Sequence, residues 1–387
     1  MKPATYLTNL TPLRGIAALL TVIFHCGLMI GTLVNPEQSL IMGRLYLMVD
    51  FFFILSGFIM LHVYGQGFSE KITTTAFKQF TIARFARVYP LHFFTLVYTI
   101  ILFAITASLG IPSVPVLQVE NSGYSIITNL LLLQSMNLHH WFSWVHASWS
   151  ISTEWWMYML FPFLVRPFMQ LSSAGRGAVA FFCFVGYVGI MYFIIPLVSN
   201  PPEIPFVHID PSSMSINLGY QYGILRCFFG FVLGMMMYLG YQESWGKSWL
   251  ANGYTLLGLT LGLGICLHFG VADVFTVIFF PLILLSAAYG STGMNAFLGS
   301  KPLQRLGDWS FSIYLTHQPL MYTIGAIMAY RSMDPTQSAP SGPPPPSDIS
   351  TNWLITSAVI GLVLIVSYLT YRFVEKPARH WINSKAG

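Results

Sequence analysis

Long apolar runs, broken by short polar clusters, set the pattern of this chain. Ten of the runs are near the ~20 residues that an α-helix needs to cross a bilayer. They lie at 12–33, 43–64, 89–109, 151–169, 177–198, 219–240, 251–269, 273–289, 309–330 and 353–373. Thr11 and Pro12 suit the start of the first helix. Pro377, after Glu375 and Lys376, is expected to stop the last. An eleventh run, 124–138, is apolar but short, and reads as interfacial or re-entrant. The expected fold class is therefore all-α, a polytopic membrane protein of about ten transmembrane helices. The first run is too long for a cleaved signal peptide and lacks a small-residue cleavage site, so it is expected to stay. Residues 1–387 read as one transmembrane domain, with no appended soluble domain and no internal repeat.

Charge sets the expected orientation. With the N-terminus inside and ten spans, fifteen of the eighteen Lys and Arg fall on the cytoplasmic side, as the positive-inside bias requires. Arg44, Arg226 and Arg331 are the exceptions. Letting 124–138 span would move nine of the fifteen across. Both termini are thus expected in the cytoplasm, and the membrane expected is the bacterial inner one. Only 8% of residues are charged and 55% are hydrophobic, far from the composition of a soluble domain. The net charge of +5 is spread singly along the boundaries, which excludes a nucleic-acid partner. Cys26, Cys183, Cys227 and Cys266 sit in apolar runs and read as buried free thiols. Oligomeric state is not legible, and a homo-oligomer is allowed.

Ionisable residues at membrane depth are costly and therefore mark candidate chemistry. Arg14 and His25 are eleven residues apart on the first helix. At about 100° per residue they share a face, roughly 16 Å apart along the axis. Arg14 falls at the inner boundary and His25 beyond the midplane. Asp50 and Glu154 enter their helices from the outer side and reach a similar depth. A carboxylate there could fix the imidazole tautomer and strengthen it as a base. The bland alternatives are a pairing of Asp50 with Arg44 or another basic residue, and of Glu154 with its own helix N-terminus. Arg84 and Arg87 share a face at the inner boundary, where guanidinium groups suit phosphate oxygens. Lys301 and Arg305 add positive charge on that side. Ser150, Tyr314 and His317 complete the polar candidates. Ser148, Ser150 and Ser152 lack a nucleophile elbow. His139, His140 and His146 lack the partners a zinc site needs, so no metal is expected. Ser56-Gly57 reads as a close helix contact. Cationic groups inside and a histidine with carboxylates toward the outside suit a phosphorylated donor with a long arm, such as an acyl-CoA.

The segments TPLRGIAALLTVIFHCG, VDFFFILSGFIM, FTIARFARVYPLHF, ASWSISTEWWMYMLFP, LGDWSFSIYLTHQPL and YRFVEKPAR, in that order, resemble the membrane acyltransferase 3 family across essentially the whole chain. The resemblance implies O-acylation, usually O-acetylation, of an extracytoplasmic sugar or polysaccharide, with acetyl-CoA or another acyl-CoA as donor substrate and no permanently bound cofactor. It implies His25 as catalytic base or acyl relay, Arg14 as its companion, Arg84 and Arg87 in donor handling, and Glu154 as the acidic position of its motif. Some members carry an extra periplasmic hydrolase-like domain. None is expected here, so the membrane domain would act alone or with a partner. Direct transfer and an acyl-histidine relay both fit these residues, as do several acceptors: exopolysaccharide, O-antigen, a glucan, a lipid-linked sugar or a small glycoside. The rival class is a transporter or flippase using His25 and Glu154 as a proton relay.

Overall fold

The computed structural model describes residues 7–111, 118–198, 214–333 and 348–385, and all regular structure among them is helical. Leu10–Met29 forms α1, Ile41–Phe68 forms α2 and Thr74–Ser108 forms α3. After the short α4, Gly123–Leu130, come α5, Trp149–Met169, and α6, Ser173–Leu197. Gly223–Gln242 is α7, Gly253–Phe269 is α8 and Asp273–Tyr289 is α9. The chain finishes with α10, Lys301–Asp308, α11, Ser310–Ser332, and α12, Ile349–Ser384.

Six of these, α1, α2, α3, α6, α7 and α12, are long and apolar enough to cross a membrane. The four other expected spans fall short in different ways. Helices α8 and α9 are apolar but shorter, and the 17 residues of α8 reach only about 25 Å. Helices α5 and α11 are long, with 21 and 23 residues, but carry many Ser, Thr, Trp and Tyr. The run at 124–138 contains only the eight-residue α4, about 12 Å long. Ser122 caps it, accepting from Ser125 N at 3.2 Å while Ser125 Oγ accepts from Ser122 N at 2.9 Å, a reciprocal arrangement that starts a helix firmly.

Several boundaries differ from expectation for local reasons. Helix α1 stops at Met29 rather than 33, because Gly31 turns the chain at φ 145°. Helix α3 starts far ahead of 89: Thr73 caps it by accepting from Ala76 N at 3.2 Å, and the helix runs straight through Pro90. Helix α12 does not stop at Pro377. A π-turn at Tyr371–Glu375 shifts the register, and the helix continues from Lys376 with the proline in its first turn, where a missing N–H costs nothing.

Helix α2 is the hub. In its most apolar stretch 72% of residues are buried, against 28–39% for α1, α3, α6 and α12. It packs on α7 at backbone distance: a side chain on Gly57 would strike the Phe231 carbonyl, and one on Gly234 the Ile54 carbonyl. Small residues permit such contact between apolar helices, as Ser56-Gly57 suggests. The peripheral helices turn large apolar groups outward, among them Tyr254, Phe193, Phe269 and Leu354, each above 70% exposed. Such a surface is soluble only in lipid.

Two buried ion pairs brace the hub. Arg226 of α7 and Asp50 of α2 are both 0% exposed, with Nη2 donating to Oδ2 at 2.6 Å and Nε to Oδ1 at 3.0 Å. The remaining guanidinium hydrogens go to Asn217 Oδ1, Leu218 O and Tyr46 O. Arg44 pairs with Asp273 at 2.8 Å, whose other oxygen accepts from Tyr46 Oη at 2.7 Å and Ile216 N at 2.8 Å. Two of the three arginines that break the inside bias are therefore neutralised by a carboxylate. The third, Arg331, lies exposed in the last turn of α11, where the helix dipole favours a cation. The partner of Asp50 is thus Arg226; the expectation that Asp50 attends His25 is corrected.

Asp50→Ala should destabilise the protein by about 3–5 kcal/mol, since it strands a buried charge. Asp50→Leu combined with Arg226→Met should restore most of that loss, as read from thermal unfolding in detergent. A double variant no more stable than Asp50→Ala would show that the pair does not act as a unit.

Candidate active site

Four helices and the start of α1 line a cavity of about 140 Å³. Its walls follow from the packing just described. Helix α2, pressed on α7, turns Phe52, Phe53, Ser56 and Met60 into it; α3 supplies Arg84 and Arg87. Helix α5 supplies Ser150, Glu154 and Tyr158, and α11 supplies Ser310, Phe311 and Tyr314. Arg14 reaches in from α1. That helix is held close to α10, since a side chain on Gly15 would come within 2.7 Å of Gly307 N. Six expected residues, Arg14, Arg84, Arg87, Glu154, Ser150 and Tyr314, thus meet in one space although four helices carry them. The unexpected length of α3 is what brings its two arginines inside.

Each charged group in the cavity has a defined anchor. Arg84 donates to Tyr64 Oη at 2.7 Å and lies over the Tyr64 and Tyr158 rings at 4.9 and 5.8 Å. Arg87 pairs with Glu375 and lies 5.1 Å over the Phe311 ring. Glu375 is 1% exposed and its second oxygen accepts from Ser312 Oγ at 3.0 Å. Glu154 has Ser56 and Tyr158 as hydrogen-bonding neighbours and feels the charges of Arg84 and Arg87; Ser56 Oγ and Tyr158 Oη are themselves 3.2 Å apart. Arg14 lies 3.4 Å from Thr11 Oγ1. Arg87 is balanced by Glu375, and Arg14 and Arg84 line the cavity together with the carboxylate of Glu154. Such a site favours phosphate or a carbonyl oxygen that gains charge.

His25 does not line this cavity. It lies further along α1, half-buried, beside His317 of α11, which is 0% exposed. The rings are 4.8 Å apart, with His317 Nε2 3.2 Å from His25 Nδ1. His25 Nδ1 is also 2.9 Å from the Thr21 carbonyl, and His317 Nδ1 is 3.2 Å from the Ile313 carbonyl. A carbonyl oxygen only accepts, so both Nδ1 atoms carry the proton in the neutral rings. That leaves His25 Nε2 as a bare basic nitrogen, and among the described residues no hydrogen bond occupies it. Neither carboxylate orients the ring: Glu154 stays in the cavity and Asp50 on Arg226. Tyr314 joins the two parts. It lines the cavity, stands 5.7 Å from Phe52 and 6.1 Å from His317, and its hydroxyl is 2.6 Å from Ser150 Oγ.

Other candidates fall elsewhere. Arg305 is exposed on α10 and is not part of the cavity. Ser148 and Ser152 are buried and bonded to Gln134 and to Leu132 O. His139 and His140 hold a loop through Glu120, and His146 stacks on Phe142. No group of three metal-ligating side chains occurs among the described residues. Glu375, Tyr158 and the pairing of His317 with His25 were missed by sequence reasoning. The first had a signal, since YRFVEKPAR stood out as a segment; the last two depend on which helices become neighbours.

The long apolar helices define an integral membrane protein, and its cavity is a site built across several of them. Residues 8–372 match the family profile described as the acyltransferase domain, of the acyltransferase 3 type, and the chain belongs to that family. It is an acyltransferase. "Acyltransferase MdmB" of Streptomyces mycarofaciens is 26% identical over 358 residues, covering 87% of this chain and 81% of that protein. "Protein 2 in picA locus" of Rhizobium radiobacter is 33% identical over 151 residues, 37% of this chain and 73% of that protein. No solved structure matches.

Glu375→Ala should lower the thermal midpoint in detergent, a cost of about 2 kcal/mol for losing a charge-assisted partner of Arg87. An unaltered midpoint would remove the ion pair from the forces that hold this wall of the cavity.

Proposed function

We propose that this protein moves an acyl group, acetyl in the first instance, from cytosolic acyl-CoA to a hydroxyl of an extracytoplasmic sugar, a polysaccharide or its lipid-linked precursor. The observation that carries this reading is the placement of Arg14 and His25 on one helix, with Arg14 in the guanidinium cavity and His25 beyond it. On the charge distribution both termini lie in the cytoplasm; the membrane of this reading is the bacterial inner one. Arg14, Arg84 and Arg87 attract the phosphates of the donor. The cavity, at about 140 Å³, is well below the roughly 300–1,000 Å³ of pockets that enclose drug-sized ligands. It takes the donor's arm, with the phosphates at the arginines and the rest of the nucleotide at the mouth. The thioester passes Tyr314 to reach His25.

In direct transfer, His25 Nε2 removes the proton of the acceptor hydroxyl as its oxygen attacks the thioester carbonyl. The C–S bond breaks, and the leaving thiolate takes the proton back from the imidazolium. In the relay form, Nε2 itself attacks the carbonyl and the thiolate leaves; the acceptor oxygen then takes the acyl group from the ring as its proton passes to the thiolate. Glu154 holds Arg84 and Arg87 in line for the donor in either form.

His25→Ala should reduce acyl transfer by on the order of 10²–10⁴-fold while insertion and the thermal midpoint stay unchanged, measured with radiolabelled acetyl-CoA on purified protein. Full transfer by that variant would end the catalytic assignment. Arg84→Ala and Arg87→Ala should chiefly raise KM for the donor, each by roughly tenfold for a lost charge-assisted contact. A transporter would give neither transfer nor thioester hydrolysis with the wild-type protein.

A further inference from the structure

His25 needs something to fix its ring, and the carboxylates are occupied elsewhere. We propose that His317 is the positioning residue of His25, doing with a neutral imidazole what a carboxylate does in a Ser-His-Asp triad. This rests on the acyl-transfer reading above and adds a role that reading does not require.

The case is geometric. His317 is fully buried and its Nδ1 lies 3.2 Å from Ile313 O, one turn back on α11. The proton therefore sits on Nδ1, and Nε2 can only accept. That nitrogen is 3.2 Å from His25 Nδ1, which also points at Thr21 O, 2.9 Å away. The single Nδ1–H of His25 is held by two acceptors, a backbone carbonyl on its own helix and a nitrogen on α11. The arrangement excludes the other tautomer of His25, which would set two lone pairs facing each other at Nδ1 and Nε2. It also sets the ring's rotation, since one acceptor alone leaves the imidazole free to swing about that bond.

The benefit falls on the step that charges His25. When Nε2 gains the hydroxyl proton, or an acyl group in the relay form, positive charge spreads to Nδ1–H. Its hydrogen bond to a neutral nitrogen then strengthens, and no proton needs to leave His25 for His317. A carboxylate would supply more charge stabilisation, but would bring a further ion into the apolar interior at high cost. A second histidine supplies the orientation without that cost.

The test compares His317→Leu, His317→Gln and wild type in purified full-length protein. His317→Leu should lower kcat on the order of 100-fold with donor KM within twofold, because the cavity residues are untouched. His317→Gln should recover at least tenfold of that loss, because its amide oxygen can accept from His25 Nδ1–H. ¹⁵N spectra of histidine-labelled protein should show His25 as the Nδ1–H tautomer in wild type and in His317→Gln, and a tautomer mixture in His317→Leu. Full kcat in His317→Leu, equal failure of both variants, or a wild-type His25 protonated at Nε2 would each overturn the proposal. The spectra need no turnover: a wild type without acyl transfer would overturn the proposed function, and the tautomer comparison would still decide whether His317 sets the ring.

Discussion

A charge can enter an apolar interior only with its partner, and this constraint organises the molecule. The Asp50–Arg226 pair ties α2 to α7 with every guanidinium hydrogen engaged. The pair sits on the same two helices that touch backbone to backbone at Gly57 and Gly234. Ridge contact fixes the separation of the helices, and the directional bonds of the pair fix their slide and rotation. Once those are set, the opposite face of α2 presents Phe52, Ser56 and Met60 at fixed heights. The cavity is the space that remains when α3, α5 and α11 close around that face.

The site is divided. One part is a cavity lined by guanidinium groups; the other is a pair of imidazoles. Tyr314 touches both, and its hydroxyl is tied to Ser150. A single aromatic ring between the two parts keeps positive charge away from His25. Guanidinium groups close to that ring would disfavour its protonated form, so separation serves a histidine that must accept a proton. The same separation means that a donor held by the arginines must extend an arm to react.

The helical class and most helix centres were legible from the sequence, because apolar runs of bilayer length leave little choice. Helix ends were less so. The third helix was expected to begin at 89 and the last to stop at Pro377, yet an N-cap at Thr73 and a π-turn at Tyr371–Glu375 carry the helices past those points. Arg14, Arg84, Arg87 and Glu154 were legible because each is an ionisable group at membrane depth, and the structure brings them together. Partner choice was not legible. Depth placed Asp50 near His25, but the rotation of α2 turns it to Arg226; the same kind of rotation puts His317 against His25. Rotation about a helix axis depends on contacts between distant segments, and a strongly apolar helix such as α2 carries no polar stripe to reveal it.

The π-turn in α12 has a consequence for how this chain can change. Such a turn holds one residue more than a regular α-helical turn, and that surplus aims Glu375 at Arg87 and Ser312. Loss of any one residue there would leave a smooth helix and a nearly unaltered composition. It would also swing everything on one side by about 100°, carrying the carboxylate off its arginine. Spacing is therefore as binding as identity in this stretch: homologous chains can exchange side chains around the turn, but an insertion or deletion within it disconnects the end of the protein from its interior chemistry.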